Sequence, residues 1–479
     1  MTAEPSALPA GTTAPNPRRW AAMAVLVLAF MLDLLNVTIV NVGLPAIQRD
    51  LGATPAQLEW ISAAYLLAFA AVLITFARLG DLLGRKQIFL AGIAAFAITG
   101  VWSSAAGSAG WLIVARAAQG LAAAALAPQV MSILYTLFQG RERATVFGAF
   151  GVVSGLAQAG GLLLGGTVIT ADLAGLGWRA IFLVTVPAAV VLVAGGAWLV
   201  PESRVVGGIR PRWSATVVLT LGLIAIVFPL LEGRTYDWPA WIWVCLVAGV
   251  LAVAGLAFVE HRSPVRRAAA LLPLELFRIR VVASGLPVLL LAFASFTGFL
   301  LVFVLWLQDS QGYSPWGAGV LTVAFSAGGL AMSPFTGRLL VRFGRWLALA
   351  GCVLASLGAV AVLLAGRVAH EPVEAWSLVP GLFALGVGMN LLMPTLTTVY
   401  LSGVPAGHAG AASGIWTTGQ QFGAALGVAG IGTIYFAALE AGGHRAAFTA
   451  GTLTVAVMLA VSAALCLALP RKTLMNSSD

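Results

Sequence analysis

The chain is poor in charge: Asp, Glu, Lys and Arg together make up 9% of its 479 residues. Soluble domains carry about a quarter. Most of this chain therefore cannot face water, and the length that would otherwise suggest about three soluble domains describes one membrane bundle instead. Lysine is almost missing. Lys86 and Lys472 are the only two, so arginine carries nearly all of the net charge of +9. The basic residues lie in short loops between apolar stretches, which is a topological pattern rather than a nucleic-acid-binding patch. The three cysteines, Cys245, Cys352 and Cys466, sit far apart within apolar stretches, with no CxxC and no zinc spacing, and read as small packing residues. His261, His370, His408 and His444 fall in or near loops and form no cluster, so no metal site is expected. No GxxxxGK[ST] phosphate loop occurs, which excludes ATP-driven pumping of the P-loop kind. No nucleophile–base pair marks an enzyme.

What the chain has is apolar runs. A bilayer core needs about 20 apolar residues per helix. Spans are expected near 20–43, 57–78, 87–107, 110–135, 144–169, 180–200, 214–232, 239–259, 281–308, 317–340, 346–366, 376–401, 410–437 and 447–469. Residues 1–17 are polar and read as a disordered tail; the run that follows is too long for a signal-peptide core and reads as a retained first helix. With the N-terminus placed inside, only Arg49, Arg179, Arg234, Arg367 and Arg445 of the 26 basic residues fall outside, and Arg116 stays within a span. Every other Arg and Lys falls inside, so both termini are expected in the cytoplasm of an inner-membrane protein. Tryptophans such as Trp20, Trp60, Trp111, Trp178 and Trp346 stand near span ends, as an aromatic belt requires.

An internal repeat runs through the chain. Arg78-Leu79-Gly80-Asp81-Leu82-Leu83-Gly84-Arg85 shares an R-L-x-x-x-x-G-R frame with the stretch from Arg338 to Arg345. Ser154-Gly155 recurs as Ser413-Gly414, and Gly120 with Pro128 recurs as Gly386 with Pro394. The organisation expected is a tail at 1–17, a six-helix half at 18–205, a two-helix insert at 206–270, a six-helix half at 271–470 and a tail at 471–479. Related halves place a substrate site near the midplane between them.

Within the spans, Asp33 is the acid expected to carry protons. It lies mid-helix among leucines, where a charge costs about 2.5–3.5 kcal/mol on insertion scales. Asn36 is one turn on and Asn41 follows; they either orient Asp33, contact substrate or bond neighbouring helices. Arg116, with Gln119 three residues on, must face the interior and have a partner, and Asp33 is its leading candidate. Tyr65, Gln119, Gln158, Asn390, Trp416, Gln420 and Gln421 are expected to face a cavity, with Asn36 and Asn41. Arg78, Gly80, Asp81, Gly84, Arg85 and Lys86 form a loop cluster expected to act as a conformational latch. Gly161, Gly165 and Gly166, and Gly419 and Gly423, either pack helices closely or form a gating seam. Asp309, at the outer end of its span, reads as either a charge at the membrane interface or a second acid for cations.

The stretch from Asp33 through Asn36-Val37-Thr38-Ile39-Val40-Asn41-Val42-Gly43-Leu44-Pro45, the loop Arg78–Lys86, the Arg116/Gln119/Gly120 group, Gly161-Leu162-Leu163-Leu164-Gly165-Gly166 and Trp178-Arg179 with Phe182 and Pro187 together resemble the signatures of the fourteen-helix drug:proton antiporters of the major facilitator superfamily. Three positions depart from the pattern: Asn36 stands where Asp is usual, Leu162 where Pro is usual, and Ala77 where Gly is usual. The resemblance implies an all-α bundle in a 6+2+6 arrangement that exports amphipathic drugs in exchange for protons. It implies no cofactor beyond the proton gradient, and as partners a small amphipathic molecule, protons and membrane lipid, with no nucleic acid. A narrow metabolite exporter, a proton symporter and a non-transporting receptor are the other readings the sequence leaves open.

Overall fold

The computed structural model describes residues 18–204, 212–262, 270–368, 373–404 and 409–470, with only some of the side chains within 140–159 and 409–411. The tails at 1–17 and 471–479, and His370 and His408, lie outside the described residues, as does the side chain of Gln158.

The described chain is built of helices: α1 Arg19–Leu51, α2 Pro55–Leu83, α3 Arg85–Ser104, α4 Ala109–Leu137 and α5 Gly140–Thr170. Next come α6, the apolar segment Gly177–Leu199, then α7 Trp213–Glu232, α8 Ala240–Arg262 and α9 Arg280–Ser310. After them follow α10 Pro315–Phe343, α11 Arg345–Val368 and α12 Ala375–Ser402. The last helical run, Ala409–Cys466, is broken at Gly443, whose φ of 73° and ψ of −171° suit only glycine. The break divides it into α13 (409–442) and α14 (444–466). The two last spans expected from the sequence thus meet at one residue rather than across a loop. Twelve helices among the described residues are long and apolar enough to cross a membrane, the broken run counted as one; α5 is not among them and contributes the shorter apolar stretch Gly160–Thr170.

Polar caps start several helices where the apolar runs begin. Thr54 and Gln57 form a reciprocal capping box at α2, with Pro55 in its first turn. Ser314 caps α10 by accepting from the Gly317 N–H through its side chain, followed by Pro315. These two starts lie one repeat length apart, so the repeat seen in the loop signatures extends to the helix beginnings.

The packing follows the repeat as well. In the first half α1 packs on α5, α2 on α4, and α3 on α4 and α6; in the second, α9 packs on the α13–α14 run, α10 on α12, and α11 on α12 and the α13–α14 run. Gly120 of α4 lies against the carbonyl oxygen of Tyr65 on α2, and Gly386 of α12 lies against the carbonyl oxygen of Phe325 on α10; a Cβ at either glycine would overlap that backbone. α7 and α8 pack on each other, and α7 also touches α2 and the α13–α14 run.

The structure adds detail at three places. Trp178 is 3% exposed rather than turned to the interface, because its indole donates to Asp50 Oδ2 at 2.9 Å. Cys352 and Cys466, far apart in sequence, approach to 3.9 Å between sulfurs across α11 and α14. Gly84 has φ 119°, which explains the glycine at the α2–α3 turn.

The crossings at Gly120 and Gly386 generate a test. Gly386→Leu should lower the unfolding temperature of the detergent-solubilised protein markedly, since overpacking a helix crossing costs about 1–3 kcal/mol or more. Gly337→Ala, where a Cβ meets nothing within 4 Å, should leave it unchanged or raise it slightly. Equal effects of the two would contradict the packing described.

Candidate functional site

Asp33 and Asn36 stand one turn apart on α1, and both are buried, at 2% and 0% exposure. Opposite them α2 presents Tyr65 and α4 presents Arg116, which are likewise buried. The close α2–α4 crossing at Gly120 sets these side chains side by side, since Gly120 and Arg116 are one turn apart. The Tyr65 hydroxyl donates to Asp33 Oδ1. The guanidinium carbon of Arg116 lies 4.3 Å from the centroid of the Tyr65 ring and 6.0 Å from that of Phe182 on α6. Arg116 Nη1 donates to Gln119 Oε1 at 2.6 Å and to Asn36 Oδ1. Its Nε donates to the Ile61 carbonyl at 3.2 Å.

The expected direct pair between Asp33 and Arg116 is not formed: none of the ion pairs among the described residues joins them. Tyr65 stands between the two, its hydroxyl on the acid and its ring on the cation, while neutral amides take the Arg116 donors. The physical reason is reach. Asn36 lies one turn beyond Asp33 and meets the guanidinium first. A cation in a low-dielectric interior is then stabilised by neutral acceptors and by a desolvated cation–π contact worth on the order of 2 kcal/mol, with hydrogen bonds to charge worth about 1.5–3 kcal/mol each. The arrangement leaves the carboxyl close to the arginine with Tyr65 between them and no salt bridge joining them. Asn36 Nδ2, Gln119 Nε2 and Ser62 Oγ have no hydrogen-bond partner, so the cluster holds polar capacity that the protein itself does not use.

A small cavity adjoins the cluster. Val37 and Asn41 of α1, Ser62, Tyr65 and Leu66 of α2, Arg116 of α4, Thr297 of α9 and Val428 of α13 line it. Its walls therefore come from both halves of the chain. Asn41 and Tyr65 were expected at such a cavity; Ser62, Thr297 and Val428 were not, because small polar and branched residues in a span carry no signal of their own. Trp416 and Asn390 do not join this cluster. Trp416 packs on the Tyr400 ring with centroids 4.5 Å apart, and Asn390 accepts from Thr336 at 3.0 Å within the second half. Gln420 and Gln421 are half-buried on α13.

The loop cluster is tied to more than its own turn. Arg85 pairs with Asp81 at 2.8 Å, and its backbone N donates to the Ser203 carbonyl at 3.0 Å. Lys86 Nζ donates to the Ala197 carbonyl at 2.7 Å, and Arg204 returns a hydrogen bond to the Leu83 carbonyl at 2.8 Å. Gly80 lies against the side chain of Gln129, and Gln129 donates to the Phe76 carbonyl at 2.8 Å. Arg78 reaches the Ala270 carbonyl, ahead of the second half, at 2.6 Å. Beside it the buried Glu260 of α8 accepts from the backbone N–H groups of Leu271 and Leu272 at 3.0 and 3.1 Å. Glu260, and Glu59 near the start of α2, are buried acids that the sequence reading passed over, since a carboxylate near a span end reads as solvated.

The glycine stripes are close helix contacts. Gly161 and Gly165 of α5 lie against Thr38 and Ile39 of α1, Gly166 against the Pro315–Trp316 backbone of α10, and Gly419 and Gly423 of α13 against Leu286 and Leu290 of α9.

Residues 26–208 and 203–428 match the model of the Major Facilitator Superfamily. Among curated relatives, a probable actinorhodin transporter of Streptomyces coelicolor is 37% identical over 91% of this chain and 78% of its own. A puromycin resistance protein of Streptomyces alboniger is 33% identical over 98% of this chain and 95% of its own. A tetracenomycin C resistance and export protein of Streptomyces glaucescens is 31% identical over 87% and 76%. In fold, the chain is similar to a crystal structure of a POT family transporter in complex with a thioalcohol conjugated peptide, at 13% identity and a TM-score of 0.65, over 93% of this chain and 95% of that one. The sequence relationship and the shared fold agree: this chain is a multi-pass membrane transporter belonging to the Major Facilitator Superfamily.

Proposed function

We propose that this chain is a proton-coupled efflux transporter that exports amphipathic, antibiotic-like small molecules across the inner membrane, with both termini in the cytoplasm. Relatives named for actinorhodin transport, puromycin resistance and tetracenomycin C export support the cargo class. The observation that carries the coupling is the buried Asp33–Tyr65–Arg116 node beside a cavity walled by both halves. The bundle is read as fourteen crossings, with halves at 18–205 and 271–470 flanking the insert at 206–270.

In the proposed cycle Asp33 takes a proton from the outer side when the cavity opens there, and releases it to the cytoplasm when the cavity opens inward. Burial disfavours the carboxylate, while the neighbouring guanidinium favours it. Substrate that bonds the spare groups of Asn36, Gln119 and Ser62 tips this balance and so competes with the proton. Tyr65 transmits the effect, because its hydroxyl and its ring touch the two charged partners. The proton gradient is the only energy source the reading requires. The Arg78–Lys86 cluster acts as the latch, since its bonds to 197–204 and to Ala270 must rearrange when the inner end opens. The glycine contacts of α5 and α13 serve as the sliding seam.

Two predictions follow from the node. In inside-out vesicles with an acidified lumen, adding a transported drug should release luminal protons, and Asp33→Asn should abolish the release; drug-driven proton movement into the lumen would indicate symport, and undiminished release from Asp33→Asn would remove Asp33 as carrier. Arg116→Lys keeps the charge but loses the planar fork that serves Asn36, Gln119 and Ile61 at once. Drug transport by that variant should fall on the order of tenfold, the equivalent of one lost hydrogen bond to a charge; transport at the parental rate would show that the fork is not needed.

A further inference from the structure

Glu59 has no place in the node just described. It lies near the start of α2, at the end of the bundle opposite the Arg85 cluster, and is 2% exposed. Its carboxyl rests against the α13 backbone. A Cβ added to Gly432 would stand 2.7 Å from Glu59 Oε1 and 2.8 Å from its Cδ, so glycine at 432 is what makes room for the acid. Oε2 has no hydrogen-bond partner, and none of the ion pairs among the described residues includes Glu59.

The charged groups around it are engaged elsewhere. From the end of α7, Glu232 accepts from the Trp60 indole at 2.9 Å. Arg234 pairs with Glu440 of α13 at 3.0 Å. From α4, Arg116 reaches only as far as the Ile61 carbonyl. Arg234 and Glu232 carry opposite charges beside Glu59. Thr433, next to Gly432, donates to the Leu230 carbonyl, so α2, α7 and α13 converge on this point. α2 belongs to the first half and α13 to the second; the Glu59–Gly432 contact is therefore a seam between halves, closed here.

An unpaired carboxylate sealed in such a seam is costly, whereas the carboxylic acid is tolerated. We propose that Glu59 is a second proton site of this transporter, and that its protonation is a condition for closing the α2–α13 seam at the outer end. When the halves part there, water reaches the carboxyl and it ionises. Before they close again, the carboxylate takes one proton from the outer solution and becomes neutral. The return to the inward-facing state then waits for an outer proton even with Asp33 aside, which makes the gate itself proton-dependent. The α7–α8 hairpin contributes by holding Arg234 and Glu232 at the edge of the seam.

The proposal rests on the alternating-access reading but is tested without drug. In a Cys245→Ala, Cys352→Ala, Cys466→Ala background, spin labels at Leu173→Cys and Ala437→Cys report the separation of the two halves at the outer end. Between about pH 5 and about pH 9, a range that spans carboxyl titration in buried sites, the distance distribution should gain a longer component as pH rises. Glu59→Gln should lose that component at every pH, and Glu59→Asp should retain it with a shifted midpoint. Asp33→Asn should keep a pH response, because Glu59 is still present. A Glu59→Gln protein that tracks the parent across the range would overturn the proposal, as would a parent with no longer component at any pH. Either result is separable from a failure of drug-driven proton release in vesicles, which bears on the transport reading alone.

Discussion

A guanidinium sealed among helices has no water to bond, so the protein must supply every acceptor itself. Arg116 meets that requirement through Ile61 O, Asn36 and Gln119, with the Tyr65 ring on one face. Three helices are fixed by this one side chain. α1 must present Asn36, and with it Asp33 one turn earlier; α2 must expose a carbonyl and an aromatic ring; α4 must approach closely enough for both. Gly120 permits that approach by letting the Tyr65 backbone lie where a side chain would otherwise stand. The chemistry of the acid and the packing of the first half are thus one arrangement.

The second half shows the same scaffold without the chemistry. Gly386 lies on Phe325 as Gly120 lies on Tyr65, and the Ser314–Pro315 start of α10 repeats the Thr54–Pro55 start of α2. Where Tyr65 has a hydroxyl, Phe325 has none. Four residues before Gly386, in the place of Arg116, stands the buried Leu382. The repeat keeps its crossings, while the buried acid–arginine cluster stands in the first half alone among the described residues. The cavity reflects this: its polar walls come mainly from α1, α2 and α4, while α9 and α13 add Thr297 and Val428.

Much of this was legible in the chain itself. The helix positions follow from apolar run length, which the bilayer fixes, and the expected spans fall within or beside the helices found. Asp33 and Arg116 stood out because charge within a span is rare. Their partnership was not legible: sequence names the two charges but not that Asn36 and Tyr65 occupy the space between them. Glu59 and Glu260 were missed for a related reason. Their burial depends on partners outside their own helices: Gly432 of α13, far along the chain, for Glu59, and the backbone of Leu271 and Leu272 for Glu260. The boundary between the last two spans was legible from Glu440, His444 and Arg445; that the helix turns at the single residue Gly443 rather than through a loop was not.

In the proposed mechanism the carboxyl of Asp33 exchanges its proton in response to substrate through Tyr65. Its most direct test is the number of protons released when a transported drug is added to purified protein in weakly buffered detergent solution. Release of about one proton per protein is predicted for the parent, with none from Asp33→Asn and a clearly reduced release from Tyr65→Phe at matched drug occupancy. Substrate binding with no proton release, or release that is unchanged in Asp33→Asn, would contradict it.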